Sequence, residues 1–272
     1  NRRTAPVAEG AAEAAPLLGM TTVEEQQFLF RYARELHSGV GQIVDLGCWL
    51  GSTTIPLARG LNEAGAPVEQ IVHAYDIFIW QEWMERYSKD VKGAFVPGDS
   101  FLPEFHRRLG PLSVRVRARP GDLTRTGWSE GPIEMLVIDS MKTWELCTAI
   151  THNFLPALIP GRSLVLHQDF KYWGCPWIHL TMYRLRDSFE IAEELEQSTG
   201  TVFRLVRPLD LERVPRDLRP TDFSLAEIDE AYAFWAEHSK GRLASLLPYA
   251  RLLLLAERGA VAEARAGVEA LL

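Results

Sequence analysis

Cysteine is scarce: Cys48, Cys147 and Cys175 are the only three in 272 residues. Odd in number and unevenly spaced, they imply no disulfide framework. No apolar run approaches the roughly 20 residues that cross a bilayer, and no secretory apolar segment stands near the N-terminus. Positive charge is short too. Against 29 Lys and Arg stand 36 Asp and Glu, a formal net charge of −7 that excludes a global basic footprint for nucleic acid. Arg115, Arg117, Arg119 and Arg125 form a local basic cluster. On a strand the first three share one face, either solvated or phosphate-binding. No second copy of a repeat is visible. These absences leave the cytoplasm as the expected location, with no nucleic acid and no membrane as partner. What is present, 47% hydrophobic and 24% charged residues, is ordinary for a globular protein of one large domain or a domain plus appendage. The chain begins at Asn1 without methionine, as an excised domain or processed product does, so fusion to other domains or homo-oligomerisation stays open.

One stretch organises the chain. Residues 43–46 are an apolar run ending at Gly47, which reads as a short buried strand. Gly47 and Gly51 punctuate a turn, and Ser52 or Thr53 can cap a helix running on through Thr54, Leu57, Ala58 and Leu61. A strand feeding a helix through such a turn brings backbone N–H groups and a positive helix end to a ligand. Residues 71–76 read as a second buried strand ending in Asp76, one β-α-β unit beyond Asp45. An acid at that point can engage ribose hydroxyls.

Taken in order, residues 1–20 read as a flexible arm, 21–207 as the main domain, 208–221 as a linker with several prolines, and 222–272 as a helical extension. The run Thr21-Thr22-Val23-Glu24-Glu25 offers a capping-box-like start to a helix carrying Phe28, Leu29, Tyr32, Ala33 and Leu36. Residues 77–84 read as an aromatic segment entering a helix, and a further helix covers 100–109. Strands are expected at 113–118, 133–138 and 163–166, then a hairpin of 189–191 and 201–206, with helices from Thr143 and over 177–187. Strands alternating with helices at this spacing predict an α/β fold with a mostly parallel sheet.

Asp45-x-Gly47-x-x-x-Gly51 followed by Asp76 resembles motifs I and II of class I S-adenosylmethionine-dependent methyltransferases. The resemblance covers about residues 40–207. It implies a Rossmann-like class I methyltransferase sheet, mostly parallel with an antiparallel last strand. An NAD-dependent oxidoreductase is disfavoured because Gly47-Cys48-Trp49-Leu50-Gly51-Ser52 lacks the middle glycine of G-x-G-x-x-G. The implied cofactor site comprises Asp45, Gly47, Trp49, Gly51, Ser52, Asp76, Asp122 and Asp139. In it the turn holds the amino acid portion, Asp76 the ribose and Asp122 the adenine edge.

Within that family the first strand neighbours the fourth and the fourth the fifth, so Asp139 and the His167-Gln168-Asp169 run can converge. Val137-Ile138-Asp139-Ser140 matches macrocin-type sugar O-methyltransferases, which carry an acid after the fourth strand and an acidic pair after the fifth. Leu166-His167-Gln168-Asp169-Phe170 matches in part, since Gln168 replaces one acid and Met141 and Lys142 stand where a further acid is usual. Asp139, Gln168 and Asp169 offer oxygens to a hard ion such as Mg²⁺. Alternatively His167, two residues from Asp169 and so on the same side of an extended chain, is the base and no metal takes part. The candidate catalytic residues are therefore Asp139, His167 and Asp169, with His179 and Lys142 behind them. Trp49, Trp80, Trp83, Trp144, Trp173 and Trp177 all follow strand ends, and either wall a pocket or pack helices onto the sheet. The function expected is methyl transfer to a hydroxyl of a sugar or aromatic small molecule, the alternative being a non-catalytic module of the same fold.

Overall fold

The computed structural model describes residues 19–271, so the arm expected over 1–20 lies outside it except for Gly19 and Met20. Seven strands form one sheet: β1 (Gln42–Leu46), β2 (Val72–Asp76), β3 (Val116–Pro120), β4 (Ile133–Ile138), β5 (Leu164–His167), β6 (Phe189–Glu194) and β7 (Thr201–Leu205). Their order is β3-β2-β1-β4-β5-β7-β6. β7 alone runs against its neighbours, closing the sheet as a hairpin with β6. β1 lies between β2 and β4, and β4 beside β5, as the family resemblance implies.

Burial follows from cover on both faces. α1 (Val23–Arg31) and α2 (Thr54–Glu63) cover Ile43, Met135, Val137 and Leu166 on one face. α4 (Trp144–Asn153) and α5 (Pro176–Arg184) cover Val44, Leu136, Ile138 and Val165 on the other. α1 starts with the expected capping box: Glu25 N–H donates to Thr22 Oγ1 at 3.2 Å and Thr22 N–H to Glu25 Oε2 at 2.6 Å. Within 208–221, Val214 and Leu218 are buried in the second core, together with Ile228 and Trp235 of α6 (Leu225–His238). α7 (Leu247–Glu257) and α8 (Val261–Leu271) flank an apolar cavity of about 770 Å³ walled by Trp173, Tyr249, Leu253, Val261 and Val268, with Arg265 at its edge.

Two local expectations are corrected. The third strand starts at Val116, because Gly110, at φ +50°, and Pro111 turn the chain through a 3₁₀ segment, Gly110–Arg115. Val114 is consequently exposed, and Arg115 is buried, donating to the carbonyls of Pro67 at 2.6 Å and Ala66 at 2.7 Å. Arg117 and Arg119 pair instead with Glu130. Residues 77–84 do not enter an α-helix; only the 3₁₀ turns Glu82–Arg86 and Lys89–Val91 precede α3 (Leu102–Leu109). Trp80 N–H donates to Asp99 O at 2.7 Å and Gly98 N–H to Trp80 O at 2.9 Å, so this backbone is tied to the loop before α3.

Candidate active site

At the carboxyl end of β1 the chain turns through Gly47 (φ +90°) and Gly51 (φ +92°). Only glycine adopts these angles freely. A Cβ at Gly47 would also lie 3.1 Å from the Asp139 carbonyl carbon and from Ser140 Cβ, so the turn rests on the end of β4. Trp49 takes a positive φ of 42° without being glycine. Its N–H donates to Asp76 Oδ2 at 2.9 Å, and Phe78 N–H donates to Asp76 Oδ1 at 3.0 Å. Asp76 thus fixes the turn. Two N–H bonds leave its carboxylate with further acceptor positions.

Asp45, wholly buried, accepts the hydroxyls of Thr53 (2.7 Å) and Thr54 (2.6 Å) on Oδ2. Burial pushes its carboxyl up to about 6, against those two hydroxyls. Thr53 is the N-cap of α2 but makes no capping bond, since its hydroxyl is spent on Asp45. Ser52 is buried with Gly19 against it, where a Cβ would come within 2.8 Å. Asp122 lies beyond β3, exposed; Gly121 N–H donates to Asp76 O at 2.9 Å and the Asp122 carboxylate accepts from Thr124 N–H at 2.9 Å. The turn fits the amino acid end of adenosylmethionine on two counts. Backbone without Cβ lies at Gly47 and Gly51, and the buried polar atoms Asp45 Oδ1, Ser140 Oγ and Trp49 Nε1 have no partner among the described residues.

Asp139 and Asp169 are brought together through Lys142. The Lys142 ammonium donates to Asp139 Oδ1 at 2.7 Å and also to Asp169 Oδ2. The Gln168 amide lies 2.9 Å from Asp139 Oδ1 and 2.5 Å from Oδ2, and with its nitrogen assigned to that side, as the surrounding acceptors favour, it donates to both. Burial pushes the Asp139 carboxyl up to about 7, with Lys142 opposing and Asp169 adding to the rise. Burial acts to lower the Lys142 ammonium, but the two carboxylates outweigh it and hold the group above the ordinary lysine range. The expected metal trio does not fit. Lys142 stands between the carboxylates, and no cluster of three or more His, Cys, Asp or Glu among the described residues is arranged for a metal. The sequence signal for Lys142 was available: a lysine three residues after a strand-end acid.

His167 is not brought to this group. β5 ends at His167 and residues 168–170 turn, so the extended geometry that would align it with Asp169 is lost. Its ring is buried edge-on against Phe203, 5.9 Å between centroids, and neither nitrogen has a hydrogen-bond partner among the described residues. Burial, with a smaller contribution from His179, lowers its pKa to about 3. Below about pH 6.5 an unfolded chain takes up a proton that the folded one refuses, so the buried ring carries no protonation penalty above about pH 6.5 and destabilises progressively as pH falls below it. His167→Leu is expected to stabilise by about 1–2 kcal/mol at pH 7 by removing unpaired buried nitrogens. It should also flatten the acid side of the stability curve by up to about 1.4 kcal/mol per pH unit. Urea unfolding from pH 4.5 to 7.5 checks both; a destabilised variant would show that the ring is needed where it is.

His179 is also taken up structurally, its nitrogens meeting Tyr232 OH at 3.1 Å and Phe170 O. The tryptophans divide. Trp49, Trp80 and Trp83 lie by α3 with Phe101 and Phe105, and Trp144 and Trp177 lie in the core around α4 and α5. They do not form one wall.

No protein-family model matches the chain, and no curated protein matches its sequence. Among solved structures, it is similar to the O-methyltransferase NovP, at 16% identity and a TM-score of 0.53, over 68% of this chain and 81% of that one. It is similar also to apo CalS11, a TDP-rhamnose 3'-O-methyltransferase of calicheamicin biosynthesis, at 16% identity and a TM-score of 0.50, over 66% of this chain and 76% of that one. At such identity the likeness is one of fold. The fold is the Rossmann-like class I methyltransferase fold, with one antiparallel strand near the sheet edge.

Proposed function

We propose that the chain is an S-adenosylmethionine-dependent methyltransferase acting on a hydroxyl of a small molecule. The observation that carries this reading is the Gly47–Gly51 turn locked to Asp76, with Trp49 N–H on the Asp76 carboxylate. In it Asp76 holds the ribose, the turn and Asp45 the amino acid end, and Asp122 the adenine edge. Bound adenosylmethionine supplies a methyl group on a sulfonium, open to in-line displacement by oxygen. What the chain adds is alignment, and a carboxylate pair that accepts the hydroxyl proton. Asp139, with its carboxyl pushed up to about 7, suits that transfer near neutral pH, whereas His167, at about 3 and buried, does not. A sugar or aromatic hydroxyl is the acceptor class supported by the likeness to two O-methyltransferases, one acting on TDP-rhamnose. The acidic net charge of −7 supports a small molecule over nucleic acid.

Calorimetry should show micromolar adenosylhomocysteine binding and no NAD binding. Asp76→Ala removes the ribose acceptor together with the partner of Trp49 and Phe78 N–H. Affinity should fall by about 1.5–3 kcal/mol, roughly 10- to 150-fold. Undiminished affinity in a folded Asp76→Ala protein would sink the assignment.

A further inference from the structure

We propose that the Lys142 ammonium is a built-in counter-cation, taking the place of a divalent metal ion between Asp139 and Asp169. The inference rests on the methyltransferase reading for its role in acceptor activation, though not for its geometry. Two carboxylates brought this close repel unless a cation lies between them. Here the chain supplies that cation, with Lys142 donating to Asp139 Oδ1 at 2.7 Å and to Asp169 Oδ2. The turn after β4 delivers it: Lys142 N–H donates to Ser140 O at 2.8 Å, which returns the side chain over the strand end carrying Asp139. Gln168 completes the arrangement. Its amide gives hydrogens to both Asp139 oxygens, at 2.9 and 2.5 Å, so the Asp139 oxygens face N–H donors from two side chains. Mg²⁺ needs about six oxygens at roughly 2.1 Å, and a site furnished with ammonium and amide hydrogens is built for the opposite partner. Half of the Lys142 side chain remains exposed, so its flexible stem can follow charge developing on an incoming hydroxyl.

The decisive experiment titrates Mn²⁺ alone, without adenosylmethionine, into the whole chain, reading free Mn²⁺ by electron paramagnetic resonance. The unmodified protein should bind none stoichiometrically at up to about millimolar Mn²⁺. Lys142→Glu exchanges a positive group for a third carboxylate. It should create one site at least about tenfold tighter, which Lys142→Glu combined with Asp169→Asn abolishes. Lys142→Gln, which removes charge without adding a ligand, should fold normally and fall between the two. Tight Mn²⁺ binding by the unmodified protein that Asp169→Asn removes would overturn the proposal, and so would a folded Lys142→Glu protein that binds no more than the unmodified one. Adenosylhomocysteine calorimetry on the same preparations keeps the two questions apart. Failure of the metal result with cofactor binding intact rejects the counter-cation alone, and absent cofactor binding rejects the methyltransferase reading.

Discussion

Glu134→Ala is expected to cost about 1–3 kcal/mol of stability, because it removes a buried carboxylate and leaves the donors that face it without their acceptor. Glu134 sits in β4 with its side chain 1% exposed. Its carboxylate accepts from Ser38 N–H (2.8 Å), Ser38 hydroxyl (2.9 Å), Val40 N–H (3.1 Å) and two Arg162 nitrogens (2.9 and 2.6 Å), with His37 Nδ1 at 3.3 Å. These partners come from the chain leaving α1 and the turn entering β5, so one carboxylate ties three segments at the amino ends of the strands. Burial alone would raise its pKa, but His37, Ser38 and Arg162 outweigh burial and hold it well below the usual glutamate range. A depressed acid contributes stability above its unfolded value of about 4.3 and loses it as pH falls toward the folded one. The unmodified protein should therefore lose this tie in strong acid, and the variant should already lack it at pH 7. Urea unfolding at pH 7 measures the difference. A loss below about 1 kcal/mol would show that water replaces the carboxylate. Glu134→Gln, which keeps the shape, should lose less.

Glu134 also shows what a sequence discloses and what it withholds. The run Ile133–Ile138 is legible as a buried strand because five of its six residues are apolar, and shorter apolar runs expose β1, β2, β5 and β7. An acid inside such a run must have partners, but they lie 94 to 96 residues earlier and 28 later, and no local pattern points there. The Asp45–Gly51 turn and Asp76 were legible for the opposite reason: the turn's geometry requires glycine at fixed places. The destination of the Thr53 and Thr54 hydroxyls was not, since capping the helix and donating to Asp45 are equally open to a threonine there. His167 misled because period-two alternation holds only while the strand continues, and the strand stops at that residue. Lys142 is legible as a candidate, a lysine three residues after a strand-end acid, but no local pattern says that its ammonium reaches Asp169, 27 residues on.

At the acceptor side, Asp139→Asn and Asp169→Asn should each lower turnover by about 10²–10⁴-fold, the range of a lost acid–base group. Adenosylhomocysteine affinity should stay within about threefold, because the ribose and amino acid contacts assigned to Asp76 and the turn are untouched. The pH dependence discriminates between bases. A carboxyl near 7 must lose its proton before it can take one from the acceptor, so kcat should rise with pH through about 7 and level off above. If His167 were the base, its low pKa, about 3, would leave kcat flat across pH 5–8. Asp139→Asn should remove the limb, whereas His167→Leu should keep it. Chelator should leave the unmodified enzyme unchanged at every pH, since Lys142 is the cation between the carboxylates. A kcat flat across pH 5–8 in the unmodified enzyme, together with turnover lost in a folded His167→Leu protein, would return the base to His167. A limb lost on chelation and restored by Mg²⁺ would put a metal where Lys142 now stands.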